Sequence, residues 1–271
     1  MVEIDNTCFQ IGQICESGQC FRLDETGEHT YEVTAGDRYL RIEAGQEKTR
    51  LLCGTEEYET FWKQYFDLDT PYEDYIEAID REDTYLCEAA EFGSGIRILK
   101  QDVWEMVVSF IISQQNNIPR IKGLIRTLCE HYGKECVSAD GKTYYTFPDA
   151  AALAHVSEEE LRALKFGYRS KYICGTAQMV EEKQVSLENL ASLSYEEAKE
   201  ELLKLPGIGK KVADCICLFA LHKMDAFPVD THIRKVLERE YPQGFPFDKY
   251  AGFSGVLQQY IFYYDLKKAE R

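Results

Sequence analysis

The segment Leu205-Pro206-Gly207-Ile208-Gly209-Lys210-Lys211 constrains the fold of this chain more than any other, because it sets a proline and two glycines between two helix-compatible runs. Upstream, Tyr195 to Leu203 carries Ala198, Leu202 and Leu203 among charges, the spacing of an amphipathic helix that Pro206 must end or closely follow. Downstream, Lys210 to about Leu221 has helix length and no proline. Glycine takes positive φ freely and lets a backbone come close to a ligand, so a tight turn is predicted here. The free N–H groups of that turn sit at a helix N-terminus, a place that binds anions. The unit reads as helix, hairpin, helix, with Gly207, Gly209 and Lys210 as candidate phosphate contacts.

A Gly-x-Gly by itself is more often an ordinary turn between helices. Its company changes the reading. Lys211 lies in the first turn of the second helix, and Asp230 follows 19 residues later, after Pro228-Val229 and before another helix-compatible run, Thr231 to Tyr241. The two can meet at one cleft. An amine nucleophile needs a depressed pKa, since a free lysine titrates at about 10.4. A helix N-terminus and burial beside Cys215 and Phe219, one and two turns onward, push in that direction, while a nearby Asp230 pushes back. The sequence leaves the balance open. Asp230 is also a good N-cap for Thr231-His232-Ile233, and capping and chemistry can coexist.

Hairpin, Lys211 and Pro228-Val229-Asp230 together resemble the helix-hairpin-helix Gly/Pro/Asp superfamily of base-excision DNA glycosylases. Further segments are similar to 8-oxoguanine DNA glycosylase: Glu16-Ser17-Gly18-Gln19-Cys20-Phe21-Arg22, Ser113-Gln114-Gln115-Asn116-Asn117-Ile118-Pro119-Arg120-Ile121, Phe166-Gly167-Tyr168-Arg169, Val212-Ala213-Asp214-Cys215 and Leu257-Gln258-Gln259-Tyr260-Ile261-Phe262. The resemblance covers most of the chain. It implies a bifunctional enzyme, because a lysine at the Lys211 position accompanies covalent attack on the sugar. Asp230 would stabilise the cationic sugar as the base departs. The implied substrate is double-stranded DNA carrying oxidised guanine opposite cytosine, and the implied product chemistry is base release followed by β-elimination through a lysine Schiff base. A glycosylase for another damaged base, or a silent DNA-binding module, are the alternatives.

The same resemblance assigns a lesion pocket to Gly18, Cys215, Phe219, Gln258 and Phe262. Oxidised guanine carries a hydrogen on N7, so a backbone acceptor at Gly18 gains a hydrogen bond from the lesion and meets only an acceptor on guanine. Gln258 offers a donor and an acceptor to a Watson–Crick edge, while Phe262 and the Cys215 sulfur would sandwich the ring. Read without the resemblance, Phe262 and Cys215 are core residues. Gln115, Asn116, Arg120, Tyr168 and Arg169 match positions that face the opposite strand, although Asn116-Asn117 reads equally well as a helix cap. The family commonly has asparagine where Gln115 stands, and Pro119 replaces a small residue. His232 matches a phosphate contact and is also placed to partner Asp230.

Net charge at first opposes DNA binding: −16, with a sequence pI near 4.8. Its distribution reconciles the two. Residues 56 to 91 hold thirteen acids, whereas 116 to 129 contain Arg120, Lys122 and Arg126 with no acid, and 165 to 180 contain Lys165, Arg169 and Lys171 with none. Lys204, Lys210 and Lys211 surround the hairpin.

The fold class predicted is α+β. Residues 1–95 read as an antiparallel sheet domain with flanking helices, from the short alternating segments Tyr31 to Ala35, Tyr39 to Glu43 and Thr49 to Cys53. Residues 96–271 read as a helical domain in two subdomains with a cleft between, and Glu91 to Gly95 is the junction. Trp104 to Ile112 is a buried helix too short for a membrane span. Ten cysteines form no C-x-x-C, and none follows Pro228-Val229-Asp230, so no iron–sulfur cluster is expected there. Five scattered histidines give zinc catalysis no support. No organic cofactor is expected, and a structural monovalent or divalent cation at the hairpin stays open. A start without a signal peptide predicts a reducing cytoplasmic setting, the nucleoid of a bacterium or the nucleus of a eukaryote, and a monomer.

Overall fold

The computed structural model describes residues 1–269. Five antiparallel strands open the chain: β1 (Val2–Asp5), β2 (Leu23–Gly27), β3 (Thr30–Ala35), β4 (Arg38–Ala44) and β5 (Lys48–Leu51), in spatial order β1-β5-β4-β3-β2. Alternation decides which face is buried. Tyr31, Val33 and Ala35 of β3, Leu40 and Ile42 of β4, and Leu51 of β5 turn inward onto Phe9, Ile11, Ile14, Trp62, Tyr65 and Phe66. The sequence marks the three central segments of this sheet and misses both edges. β1 is four residues long, and Ile4 finds its role only opposite Thr49 across the sheet. β2 carries one buried apolar residue, Leu23, among acids. A small hairpin, β6 (Glu135–Val137) with β7 (Thr143–Tyr145), was equally unmarked, and it leans on the sheet through Tyr144 stacked on Tyr39 at 5.5 Å.

The remainder is helical. The apolar run forms helix Val103–Ser113, capped by Asp102, whose carboxylate accepts from the Glu105 N–H at 2.8 Å, and buried without a break from Glu105 to Ile112. It packs against helix Lys210–Phe219, itself buried from Val212 to Phe219. The last helix, Ser254–Ala269, returns to lie along Thr84–Phe92, with Tyr264 ringed by Tyr85 and Phe92 at 5.6 Å each. Leu86, Ala89 and Ala90, which precede the Gly93-Ser94-Gly95 junction, therefore belong to the helical core rather than to the sheet core. No helix among the described residues is long and apolar enough to cross a membrane.

Two buried polar side chains tie the layers together. Gln19, fully buried, donates to the Arg97 carbonyl at 2.9 Å and accepts from the Leu99 N–H at 2.9 Å. Asp67 is buried, and its carboxylate accepts from Tyr72 Oη at 3.0 Å and pairs with Lys100 Nζ at 2.7 Å and His222 Nε2 at 3.2 Å.

Candidate active site

Helix Tyr195–Leu202 begins with a capping box, Ser194 and Glu197, and the chain then turns through Pro206 and Gly207 into helix Lys210–Phe219. Gly207 has φ of +80°, and a Cβ there would stand 2.7 Å from the Tyr172 ring, so both conformation and space demand glycine. Gly209 differs. It is the N-cap at φ −97° with nothing within 4 Å of a built Cβ, so its glycine leaves an open approach. The hairpin carbonyls are satisfied from within, Pro206 by Thr176 Oγ1 at 3.0 Å and Gly207 by Gln114 Nε2 at 2.8 Å. With no side chain capping the helix, its first-turn amides are what remains for an anion.

Lys211 points from that first turn into a small pocket lined by Ser17, Gly18, Phe110, Lys211, Cys215, Phe219, Pro228, Asp230, Gln258, Gln259 and Phe262. Every residue that the sequence assigned to the lesion pocket lines it, together with both assigned catalytic residues. Its volume is small, about 60 Å³. Size does not single the site out, for a groove of about 530 Å³ opens beside Lys122 and Tyr144. Chemistry does: an amine and a carboxylate from two helix starts share the small pocket with buried amides and aromatic rings.

The Lys211 ammonium lies over the Phe110 ring, 5.4 Å from its centre, and Phe110 stacks on Phe219 at 5.7 Å. Its pKa is held above the ordinary lysine value, first by the Cys215 sulfur and then by Asp230, against the opposing effect of burial. The rise favours the ammonium over the free amine, although the Cys215 share of it requires a thiolate, which burial disfavours. Burial pushes the Cys215 thiol up, with Lys211 pulling it back. Asp230 is the N-cap of helix Thr231–Glu240, its Oδ1 accepting from the Ile233 N–H at 2.8 Å, which leaves Oδ2 for the pocket.

Gly18 sits at φ +75°, and a Cβ there would only touch Phe262, at 3.4 Å. The loop is stiff, because Gln19 Nε2 also donates to Ser17 Oγ at 2.9 Å and Gln101 Nε2 donates to the Gln19 carbonyl at 2.8 Å. Gln258 Nε2 donates to the Pro228 carbonyl at 3.1 Å. Phe262 meets the His232 ring edge-on at 5.7 Å, and His232 Nε2 faces Asp265 Oδ2 at 3.1 Å, so the histidine partners Asp265 and not Asp230.

The opposite-strand residues gather at the far side of the hairpin in two different states. Gln115 and Arg120 are exposed, and Tyr168 is 42 % exposed. Arg169 is buried, its guanidinium donating to the carbonyls of Gln114 and Gln115, with Nε to Gln114 at 3.1 Å. Asn116 and Asn117 close one helix and open the next: Asn116 Nδ2 donates to Ile112 at 3.2 Å, and Asn117 Oδ1 accepts from Arg120 at 3.0 Å. The capping reading of this pair accounts for both side chains. The basic islands are also thinner than their sequence suggests. Lys122 and Arg126 face Asp24 at 2.9 and 3.7 Å, and Lys204 pairs with Glu201, leaving Arg120, Lys165, Lys171 and Lys210 exposed and outside any ion pair among the described residues.

Ser17, Phe110, Pro228 and Gln259 line the pocket unannounced by sequence reasoning. Phe110 lies in a mostly apolar run with no feature to separate it from core, and Gln259 shows only as the second of two adjacent glutamines. Gln114 stands within the Ser113 to Ile121 motif, yet its grip on the Gly207 carbonyl, 93 positions away, is a tertiary fact.

A family model described as 8-oxoguanine DNA glycosylase, N-terminal domain, matches residues 1–107, and one described as HhH-GPD superfamily base excision DNA repair protein matches residues 108–243. Among solved structures, MBOgg1 in complex with a low affinity DNA ligand is similar at 35 % identity and a TM-score of 0.92, over 98 % of this chain and 96 % of that one. The Clostridium acetobutylicum 8-oxoguanine glycosylase/lyase, bound to double-stranded DNA with cytosine opposite 8-oxoG, is similar at 34 % identity and a TM-score of 0.91, over 98 % and 94 %. An N-glycosylase/DNA lyase of Saccharomyces cerevisiae is 40 % identical over 158 residues, 54 % of this chain. The chain spans 42 % of the length of that yeast relative.

Proposed function

The chain belongs to the 8-oxoguanine DNA glycosylases of the helix-hairpin-helix Gly/Pro/Asp superfamily, and from that premise we propose that it extrudes 8-oxoguanine from duplex DNA, releases the base and cleaves the resulting abasic site. The observation that carries this reading is the convergence of Lys211 and Asp230, each at the start of a different helix, on the pocket lined by Gly18 and Gln258.

The chemistry follows from the charges. As the bond from sugar to base breaks, electrons leave with the base and positive charge grows on C1′, where the Asp230 carboxylate stabilises it. The neutral Lys211 amine then bonds to C1′. Because the resting side chain is an ammonium, its proton must first leave, and the departing anionic base and Asp230 are the acceptors within the pocket. Ring opening gives a Schiff base. Loss of a proton from C2′ then expels the 3′ phosphate, and water frees the lysine. Phe262 and Cys215, which line the pocket with Gly18, take the two sides of the base, and the Gly18 carbonyl accepts from its N7–H. The hairpin amides and Lys210 hold a phosphate. Gln115, Arg120 and Tyr168 meet the opposite strand, and Arg169 joins them after releasing the Gln114 and Gln115 carbonyls.

Borohydride trapping on duplexes carrying 8-oxoguanine or guanine, opposite each base in turn, tests the reading. The parent should give a covalent adduct with 8-oxoguanine, Lys211→Gln none, and Asp230→Asn an adduct formed about 10² to 10⁴-fold more slowly. An adduct that persists in Lys211→Gln removes the proposed nucleophile. Binding of the lesion without base release by the parent removes the activity.

A further inference from the structure

One residue lining the pocket carries a hydrogen-bond acceptor that the protein itself leaves unused. Gln259 is 3 % exposed and lines the pocket, and its Oε1 has no hydrogen-bond partner among the described residues. A buried amide oxygen in that state carries its full desolvation cost. Its direction is fixed from the other end of a short chain of amides. The Pro228 carbonyl can only accept, so the Gln258 amide must turn Nε2 toward it, at 3.1 Å. Gln258 Oε1 then faces Gln259, whose Nε2 donates to it at 3.0 Å. Flipping the second amide would oppose two acceptors at Gln258, and flipping both would oppose two at Pro228. The chain therefore ends in the Gln259 oxygen.

We propose that Gln259 is a specificity-determining residue, its Oε1 accepting a hydrogen bond from an N–H of the extruded purine. This rests on the glycosylase reading above. The two glutamines then divide the work: Gln258 keeps one N–H beyond its bond to Pro228 for an acceptor on the base, and Gln259 supplies the acceptor for a donor on the base. A lactam edge of an oxidised guanine, carbonyl beside N–H, satisfies both at once. A base without a donor there leaves the oxygen as uncompensated as it is in the free protein, and such sites reject the analogue that lacks the group.

The test uses the full chain with Gln259→Met, Gln258→Met and the double variant. Single-turnover release of 8-oxoguanine is compared with cleavage of a duplex whose abasic site is already formed, a reaction that involves no base and reports that each variant is folded. Gln259→Met should lower the ratio of base release to abasic-site cleavage about tenfold or more, and it should lower it again in the Gln258→Met background. An unchanged ratio overturns the proposal. No further loss in the double variant also overturns it, because Gln259 would then act only by orienting Gln258. A parent inactive on both duplexes overturns the glycosylase reading itself, which separates the two failures.

Discussion

At the scale of single residues, Lys211 shows how environment and role pull apart. Burial disfavours an ammonium, yet the Cys215 sulfur and Asp230 outweigh it and raise its pKa. The reactive form is the neutral amine, which is scarce at neutral pH when the pKa is raised. Schiff-base formation on a preformed abasic site, where no departing base can take the proton, should therefore accelerate up to about tenfold per pH unit between pH 7 and 9. A flat profile across that range would place the proton loss elsewhere. Gly18 is the second decisive residue. Its φ of +75° is strained for any side chain, although a Cβ would only touch Phe262. Gly18→Ala should cost about 1 kcal/mol or more in stability and reduce the preference for 8-oxoguanine over guanine, read from paired excision assays and thermal melts.

At the scale of elements, the hairpin holds two glycines that serve different ends. Gly207 is required by its backbone and by the Tyr172 ring, whereas Gly209 has ordinary dihedrals and empty space beside it. Gly207→Ala should therefore destabilise the fold by more than about 1 kcal/mol and weaken DNA binding with it. Gly209→Ala should shift stability by only a few tenths of a kcal/mol, roughly the cap preference, yet still weaken binding, because its methyl group would stand where a phosphate approaches. Equal effects of the two variants on the melting temperature would contradict this division. The hairpin, both its helices and the Asp230 cap were legible in sequence because each depends on neighbours within a few positions. The edge strands β1 and β2 were not, since each is defined by pairing across the sheet.

At the scale of the whole molecule, the proposed contact with DNA leaves this acidic protein few free cations beside the site motifs. Arg120, Lys165, Lys171 and Lys210 are exposed outside ion pairs among the described residues, while Lys122, Arg126 and Arg169 are engaged internally. If about four phosphates are neutralised, log K against log salt should fall with a slope of about −3 to −4, and a slope steeper than about −6 would show a larger footprint. The other molecular-scale feature is Asp67, which joins the sheet layer to His222 just beyond helix Lys210–Phe219. Burial raises its pKa, but His222, Lys100 and Thr70 outweigh burial and bring it to about 2. Its folded pKa thus lies below the unfolded one, so its contribution is complete above about pH 4 and is lost as pH falls through 2. Asp67→Asn should cost about 2 kcal/mol at neutral pH and flatten the acid limb of the stability profile between those values.

The sequence by itself determined the helix-hairpin-helix unit, the sheet-then-helices order, and the lysine and carboxylate. These rest on local rules: which residues permit positive φ, which cap helices, and how apolar positions repeat. Tertiary structure alone decided that Arg169 is held by Gln114 and Gln115, that Phe110 is a pocket wall as well as core, that Lys211 rests protonated, and that the Pro228, Gln258 and Gln259 chain ends in a free oxygen. The reason is physical. A hydrogen bond or a pKa belongs to a pair of groups, and those pairs form between residues far apart in the chain or between side chains whose orientation only the packed fold sets.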